Sequence, residues 1–337
     1  MRILVRAANW IGDAVMSLPA VRAIRGRFPD AAIHVLARPW VAALYEREGS
    51  IDQIIALEGK PGGRDLREKW HAVQHLRDER YDVAILLPNS FESAALVWLA
   101  GITERIGYAR DGRSPLLTLA PSPPKRGEIP KHERYYYLEL LRRAEIISSL
   151  PDVPEIRFDR IDEAGARGEQ LLKAEGCDGA VIGVSPGAAY GGAKRWPAER
   201  FAEAAARVAR DRNASVAVFG SAAERELCEA VARLTGGVNF AGRTSLRDFI
   251  DMTAACQLFL TNDSGAMHIA SASGVPTVTI FGPTDEDATG PAGSKAIVVR
   301  NAVECAPCLL RECPIDHRCM TGITAEDVIQ SIRPRPE

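Results

Sequence analysis

Apolar positions along this chain come in two kinds of run. Short uninterrupted blocks predict buried strands: Arg2–Arg6, Ala32–Leu36, Ile51–Leu57, Asp82–Leu87, Ala180–Val184, Ala214–Phe219, Leu258–Leu260 and Thr277–Phe281. Between them, apolar residues recur every three or four positions. Val15, Leu18, Val21 and Ile24 predict a helix over 14–27, and similar spacing predicts helices over 40–45, 65–79, 91–99, 132–144, 163–175, 198–210, 224–234, 246–255 and 267–273. Strand-helix alternation of this kind is the signature of a mostly parallel sheet covered on both faces.

The alternation lapses twice. From Asp111 to Pro130 the chain is Pro-rich and mixed in charge, which predicts a long surface loop; the stretch SSLPDVPEIRFDR is extended and punctuated by proline. The domain boundary is placed there, giving an N-terminal domain over 1–160 and a C-terminal domain over 161–337. The expected fold class is α/β, with two doubly wound, Rossmann-like domains facing each other across a cleft. Ligands of such sheets bind beyond the carboxyl ends of the strands, where the strand order reverses.

Size and charge agree with that picture. The 337 residues suit two ordinary domains, and 46% hydrophobic with 26% charged residues is a globular composition. A net charge of -2 gives no bulk electrostatic grip on nucleic acid, so no nucleic-acid partner is expected. The longest apolar stretches, such as AALVWLAGI, fall far short of the ~20 residues that span a bilayer, and Arg2, Arg6 and Asp13 interrupt the opening as a signal peptide. A cytoplasmic protein is expected, with surface docking on a membrane still open to it.

Chemistry concentrates in loops that follow predicted strands. In Asn9-Trp10-Ile11-Gly12-Asp13, the carboxylate either caps helix N–H groups or serves as a general base, with Gly12 admitting a substrate close to the backbone. In Ser185-Pro186-Gly187-Ala188 and onward through Gly191-Gly192 to Lys194-Arg195, glycines before a helix suit an anion. Lys194 is the first cation for a diphosphate and Arg195 the second; a solvated turn is the alternative. The run Thr261-Asn262-Asp263-Ser264-Gly265-Ala266-Met267-His268 opens another helix. There Asp263 or Ser264 caps, or Ser264 and Gly265 hold a phosphate oxygen while Asp263 meets sugar hydroxyls and His268 touches phosphate or braces the loop. Neither G-x-G-x-x-G nor G-x-x-x-x-G-K-[ST] occurs, which counts against a nicotinamide dehydrogenase and a P-loop enzyme.

Two further clusters remain open. Lys60, Arg64, Arg67 and Lys69 either form a solvated face or meet an anionic acceptor. Cys305, Cys308, Cys313 and Cys319 crowd together around His317 as structural thiols, a local disulfide or a structural zinc site. Seven cysteines without a secretory signal argue against a disulfide-built fold.

Four segments in order, RILVRAANWIGDAVMSLPAVRAIR, SPGAAYGGAKRWP, TNDSGAMHIASASGVPTVTIFGPT and CAPCLLRECPIDHRCMTGI, together resemble the ADP-heptose:lipopolysaccharide heptosyltransferase family over nearly the whole chain. The opening and the tail are most similar to the branch that adds the second heptose. The resemblance implies a GT-B fold and an inverting transfer from ADP-L-glycero-β-D-manno-heptose to the anionic lipid A inner core. It also implies peripheral work at the cytoplasmic face of the inner membrane; a monomer needing no cofactor is expected. Carried over by position, Asp13 is the base and Lys194 the catalytic cation. Ser185 and Gly187 match the first donor-phosphate segment, and Asp263, Ser264, Gly265, Met267 and His268 the second; Asn9, Gly12, Arg195, Lys60 and Arg64 join them as candidate substrate-binding residues from their loops alone. A common variant of the loop has Pro before Ala193, where this chain has Gly192; that departure touches loop stiffness only.

Overall fold

In the computed structural model, which describes residues 1–59 and 65–332, every apolar run that predicted a strand lies in one of two all-parallel sheets. The chain divides into two units, Met1–Val153 and Pro154–Glu337. Residues 154–160 belong to the second: the Ile156 and Phe158 amides donate to the carbonyls of Ala292 (2.7 Å) and Ala272 (2.9 Å).

The first unit contains β1 (Arg2–Arg6), β2 (Ala32–Ala37), β3 (Gln53–Ala56), β4 (Val83–Leu86) and β5 (Glu104–Ile106), in the order β3-β2-β1-β4-β5. The order reverses between β1 and β4, so the loops after these two strands flank the switch point. Leu4, Leu36, Leu86, Val73 and Val97 join sheet and helices in one core. The single helix expected over 14–27 is two helices, Ile11–Met16 and Leu18–Arg27, broken at Ser17. The Ser17 hydroxyl bonds back to the Ala14 carbonyl (2.8 Å), and Pro19 has no N–H to continue the ladder.

The Pro-rich stretch after Asp111 is pinned down by one side chain. Arg113 is fully buried and donates to the carbonyls of Tyr108 (3.0 Å) and Pro88, to Ser93 Oγ (3.1 Å) and to Asn89 Oδ1 (3.3 Å). Burial pulls its pKa down to about 10, so it stays charged while fastening the loop after β4.

The second unit contains β6 (Val181–Ser185), β7 (Ser215–Val218), β8 (Val238–Asn239), β9 (Leu258–Asn262), β10 (Thr277–Phe281) and β11 (Ala296–Arg300), ordered β11-β10-β9-β6-β7-β8. Here the switch lies between β6 and β9. One face carries Ile182, Val184, Trp196, Phe201, Leu260, Ile280 and the C-terminal helix residues Val328 and Ile329; the other stacks Phe219 between Phe240 and Phe259. Helices Ile161–Ala174 and Leu246–Ala254 meet at Gly168, where an added Cβ would stand 1.9 Å from the Asp251 carbonyl oxygen. β5, β8 and β11 escape the hydrophobic pattern because they are short or half-exposed edges.

Each unit is thus a Rossmann-like α/β domain, and a pair of such domains is what the GT-B-like fold class requires. Among the described residues, no helix is long and apolar enough to cross a membrane.

Candidate active site

In the second unit the three strand ends at the middle of the sheet converge on one carboxylate. Asp263 follows β9 and is 4% exposed. Its Oδ2 accepts from Lys194 Nζ (2.5 Å), which comes from the loop after β6, and from Thr284 Oγ1 (2.5 Å), which follows β10. Neighbouring Asn262 fastens the loops behind it. Its Nδ2 donates to the Pro186 carbonyl (2.7 Å), and its Oδ1 accepts from the Trp196 amide (3.0 Å). A lysine ammonium has three N–H donors, so after bonding Asp263 Lys194 retains donors for a ligand.

Beside this cluster begins the helix Gly265–Ala272. Ser264 occupies its N-cap in an extended conformation, but no side chain caps the helix; the Ser264 hydroxyl instead lies 3.3 Å from Thr261 Oγ1. The first-turn amides of Gly265, Ala266 and Met267 are therefore left for an anion. The Met267 side chain is fully enclosed and His268 nearly so, which leaves the Met267 backbone as its route to a ligand. Ser185 ends β6, 6% exposed. Gly187 lies against the Glu224 carboxylate, with an added Cβ placed 2.0 Å from Oε1. Arg195 points elsewhere: it is exposed and donates to the Ala188 carbonyl (3.3 Å).

The loop carrying Lys194 is held by the Cys-rich segment. The Ala193 amide donates to the Arg311 carbonyl (2.9 Å), the Gly192 amide to Glu312 Oε1 (2.8 Å), and His317 Nε2 to the Ala193 carbonyl (2.7 Å). Leu309 is tied to the Pro283 carbonyl (2.8 Å) and accepts from the Tyr190 hydroxyl (2.7 Å). This corrects the zinc expectation. Among the described residues no group of His, Cys, Asp or Glu is arranged to hold a metal ion, and all seven cysteines are free thiols. Cys319 is drawn into the core, where burial raises its pKa, while Cys305 and Cys308 are exposed and His317 spends Nε2 on a carbonyl. The segment lies against the loop as a strap, held by the Leu309 and Arg311 backbone and by the Glu312 and His317 side chains.

In the first unit the loop after β1 is equally fixed. Buried Arg6 donates to Asn9 Oδ1 (2.6 Å), and Trp40 Nε1 to the Asn9 carbonyl (2.8 Å), so Asn9 braces the loop. Burial, and next the charge of Arg38, lower the Arg6 pKa to about 10. Gly12 and Asp13 lie in the first turn of Ile11–Met16, where the helix dipole favours a carboxylate. Asp13 faces Glu133 and Tyr137 electrostatically. Burial, with the charge of Asp13 second, pushes the Glu133 carboxyl up to about 7, and raises Tyr137 as well. Lys60 and Arg64 lie outside the described residues; Lys69, from the same cluster, is buried against Glu92 (2.9 Å), which also accepts from Arg38 (2.6 Å).

The sequence pattern of glycosyltransferase family 9 (heptosyltransferase) matches residues 70–318, which takes in the whole Lys194–Asp263–Thr284 cluster. The chain belongs to this family. It is similar to lipopolysaccharide heptosyltransferase 2 of Escherichia coli (strain K12), 34% identical over 310 residues that cover 89% of this chain and 88% of that one. Lipopolysaccharide heptosyltransferase 1 of the same organism is 22% identical over 313 residues, 89% of this chain and 93% of that one. The solved structure of E. coli ADP-heptose lps heptosyltransferase II superimposes with a TM-score of 0.81 at 30% identity, covering 98% of this chain and 97% of that chain.

Three residues at these strand ends of the family 9 enzyme carry little individual signal in the sequence: Thr284 closes the Phe281–Thr284 run that repeats the polar strand end after β9, Asn262 sits within a polar run, and Glu224 only opens an expected helix. The signal for Glu224 is positional: in dinucleotide-binding sheets an acidic residue after the second strand takes ribose hydroxyls, and Glu224 follows β7, the second strand of its unit. Glu133 gives no local signal, because its character comes from burial beside Asp13.

Proposed function

We propose that this family 9 enzyme is a heptosyltransferase II. It moves L-glycero-D-manno-heptose from ADP-L-glycero-β-D-manno-heptose to the first heptose of the Kdo-lipid A inner core, inverting the anomeric centre to an α linkage. The observation that carries the reading is the Lys194–Asp263–Thr284 cluster beside an uncapped helix start at the β6/β9 switch point, a site built for a leaving diphosphate. The higher identity to the heptosyltransferase 2 relative selects the branch.

In this mechanism the C-terminal unit holds the donor. As the glycosidic C–O bond to the diphosphate breaks, charge grows on the β-phosphate. Lys194 and the amides of residues 265–267 meet it with donors already in place. Asp263 keeps Lys194 aimed, and Glu224 accepts ribose hydroxyl hydrogen bonds. In the N-terminal unit, Asp13 takes the proton from the acceptor hydroxyl as its oxygen attacks the opposite face of the anomeric carbon. Ser185, Gly187, Ser264 and the Met267 amide line the phosphates. Lys60 and Arg64 supply positive charge toward the carboxylates and phosphates of the acceptor. The enzyme works as a monomer at the cytoplasmic face of the inner membrane, reaching its lipid-borne acceptor by surface contact.

The test is transfer from ADP-heptose to two purified acceptors, one ending at Kdo and one already carrying a heptose. Product on the heptose-bearing acceptor alone supports the reading. Product on the Kdo-terminated acceptor alone reassigns the enzyme to the first heptose, and absence of both transfer and donor binding sinks the donor assignment.

A further inference from the structure

Tyr190 is 38% exposed, yet its ring is held on several sides. Its hydroxyl is tied to the strap at Leu309, and the Arg311 guanidinium carbon lies 5.3 Å from the ring centroid. Lys194 Nζ lies 4.7 Å from the same centroid while bonding Asp263. The ammonium is therefore fixed from two directions, by a buried carboxylate and by an aromatic face. A lysine stem has many rotamers, and most of them withdraw the charge from a leaving group; restricting them beforehand is how a positioning contact assists a reaction. The strap reaches the same loop just before Lys194, where the Gly192 amide donates to the Glu312 carboxylate and the Ala193 amide to the Arg311 carbonyl.

We propose that Tyr190 is a positioning residue for transfer: its ring face holds the Lys194 ammonium beside Asp263, and the 309–317 strap holds the ring. This rests on the reading of Lys194 as the cation that meets the donor diphosphate. It gives the Cys-rich tail a role that depends on neither metal nor thiol chemistry.

The test uses the full chain, with ADP affinity by calorimetry and initial-rate kinetics for donor and acceptor. Tyr190→Leu keeps bulk and removes the π face. It is expected to lower donor kcat/KM and ADP affinity by roughly 3- to 30-fold, the span between an exposed and a desolvated cation–π contact, with acceptor KM unchanged. Tyr190→Phe keeps the ring and is expected to stay within about threefold of wild type. In a Lys194→Met background, Tyr190→Leu is expected to cost no further ADP affinity, because the two residues act as one unit. Wild-type behaviour of Tyr190→Leu overturns the proposal. So does a Leu loss that persists in full without Lys194, or a Phe variant that falls as far as Leu. If Lys194→Met itself leaves ADP affinity and transfer intact, the donor-lysine reading fails, and this proposal falls with it.

Discussion

Lys194 and Asp263 are 69 residues apart in sequence and 2.5 Å apart in space. Their bond joins the strand ends on either side of the β6/β9 reversal, with Thr284 adding the end of β10 to the same carboxylate oxygen. Both side chains of the ion pair are largely enclosed, so removing one partner strands the other charge away from water.

Replacing Asp263 by Asn is accordingly expected to lower donor kcat/KM by about tenfold or more, since a charge-assisted hydrogen bond within the site is lost. Thr284→Val removes the second donor to Oδ2 and is expected to act in the same direction with a smaller effect. Donor titrations of both variants check the order; a Thr284→Val loss exceeding that of Asp263→Asn contradicts it.

If Asp13 is the base of the proposed mechanism, Asp13→Asn preserves size and removes it. Transfer is expected to drop by about 10²–10⁴-fold, the usual range for a general base, while ADP affinity stays at the wild-type value. Calorimetry with ADP beside a transfer assay separates the two. A matched loss of ADP affinity would show that Asp13 serves the donor.

The pH dependence of stability is set in part by Glu133. Burial and the Asp13 charge raise its folded pKa to about 7 from an ordinary 4.5, while Arg110 opposes them weakly. A carboxyl with a raised folded pKa stabilises the fold below its unfolded pKa, and that contribution is lost as pH rises through the folded value. Glu133→Gln is therefore expected to melt above the wild type at pH 8, with the gap shrinking steadily toward pH 4.5. A melting-temperature difference independent of pH would falsify this assignment.

Gly191→Ala tests the strap from its backbone side. An added Cβ would lie 2.3 Å from the Arg311 carbonyl oxygen, so the strap must move away from the Lys194 loop. Weaker ADP binding is expected, with thermal stability reduced by roughly 1–3 kcal/mol, as for other overpacked contacts. Cys308→Ser, at an exposed position, is expected to bind ADP normally. Equal damage from both substitutions would return the role to the thiol.

Some of the site was legible because it is local. A polar, glycine-containing loop after an apolar strand marks a candidate ligand edge wherever the strand finally lies, and Asn9–Asp13, Ser185–Gly187 and Asp263–Gly265 each lie at the end of a strand. The helix break at Ser17 was missed because apolar periodicity runs through it, whereas the break depends on a serine back-bond and a proline. The strap was misread because cysteine spacing is a local signal, while the contacts that matter join it to residues about 120 positions earlier.

The sequence by itself determined the α/β alternation and which polar, glycine-containing loops follow the strands. Each of these follows from how apolar and polar residues alternate within a few turns of chain. Tertiary structure alone decided which loops meet. The order β11-β10-β9-β6-β7-β8 brings Lys194, Asp263 and Thr284 onto one oxygen, and packing sets Glu133 beside Asp13 and turns the Cys-rich tail into a strap. Strand order and burial are properties of the folded whole, since they arise from contacts between residues distant along the chain.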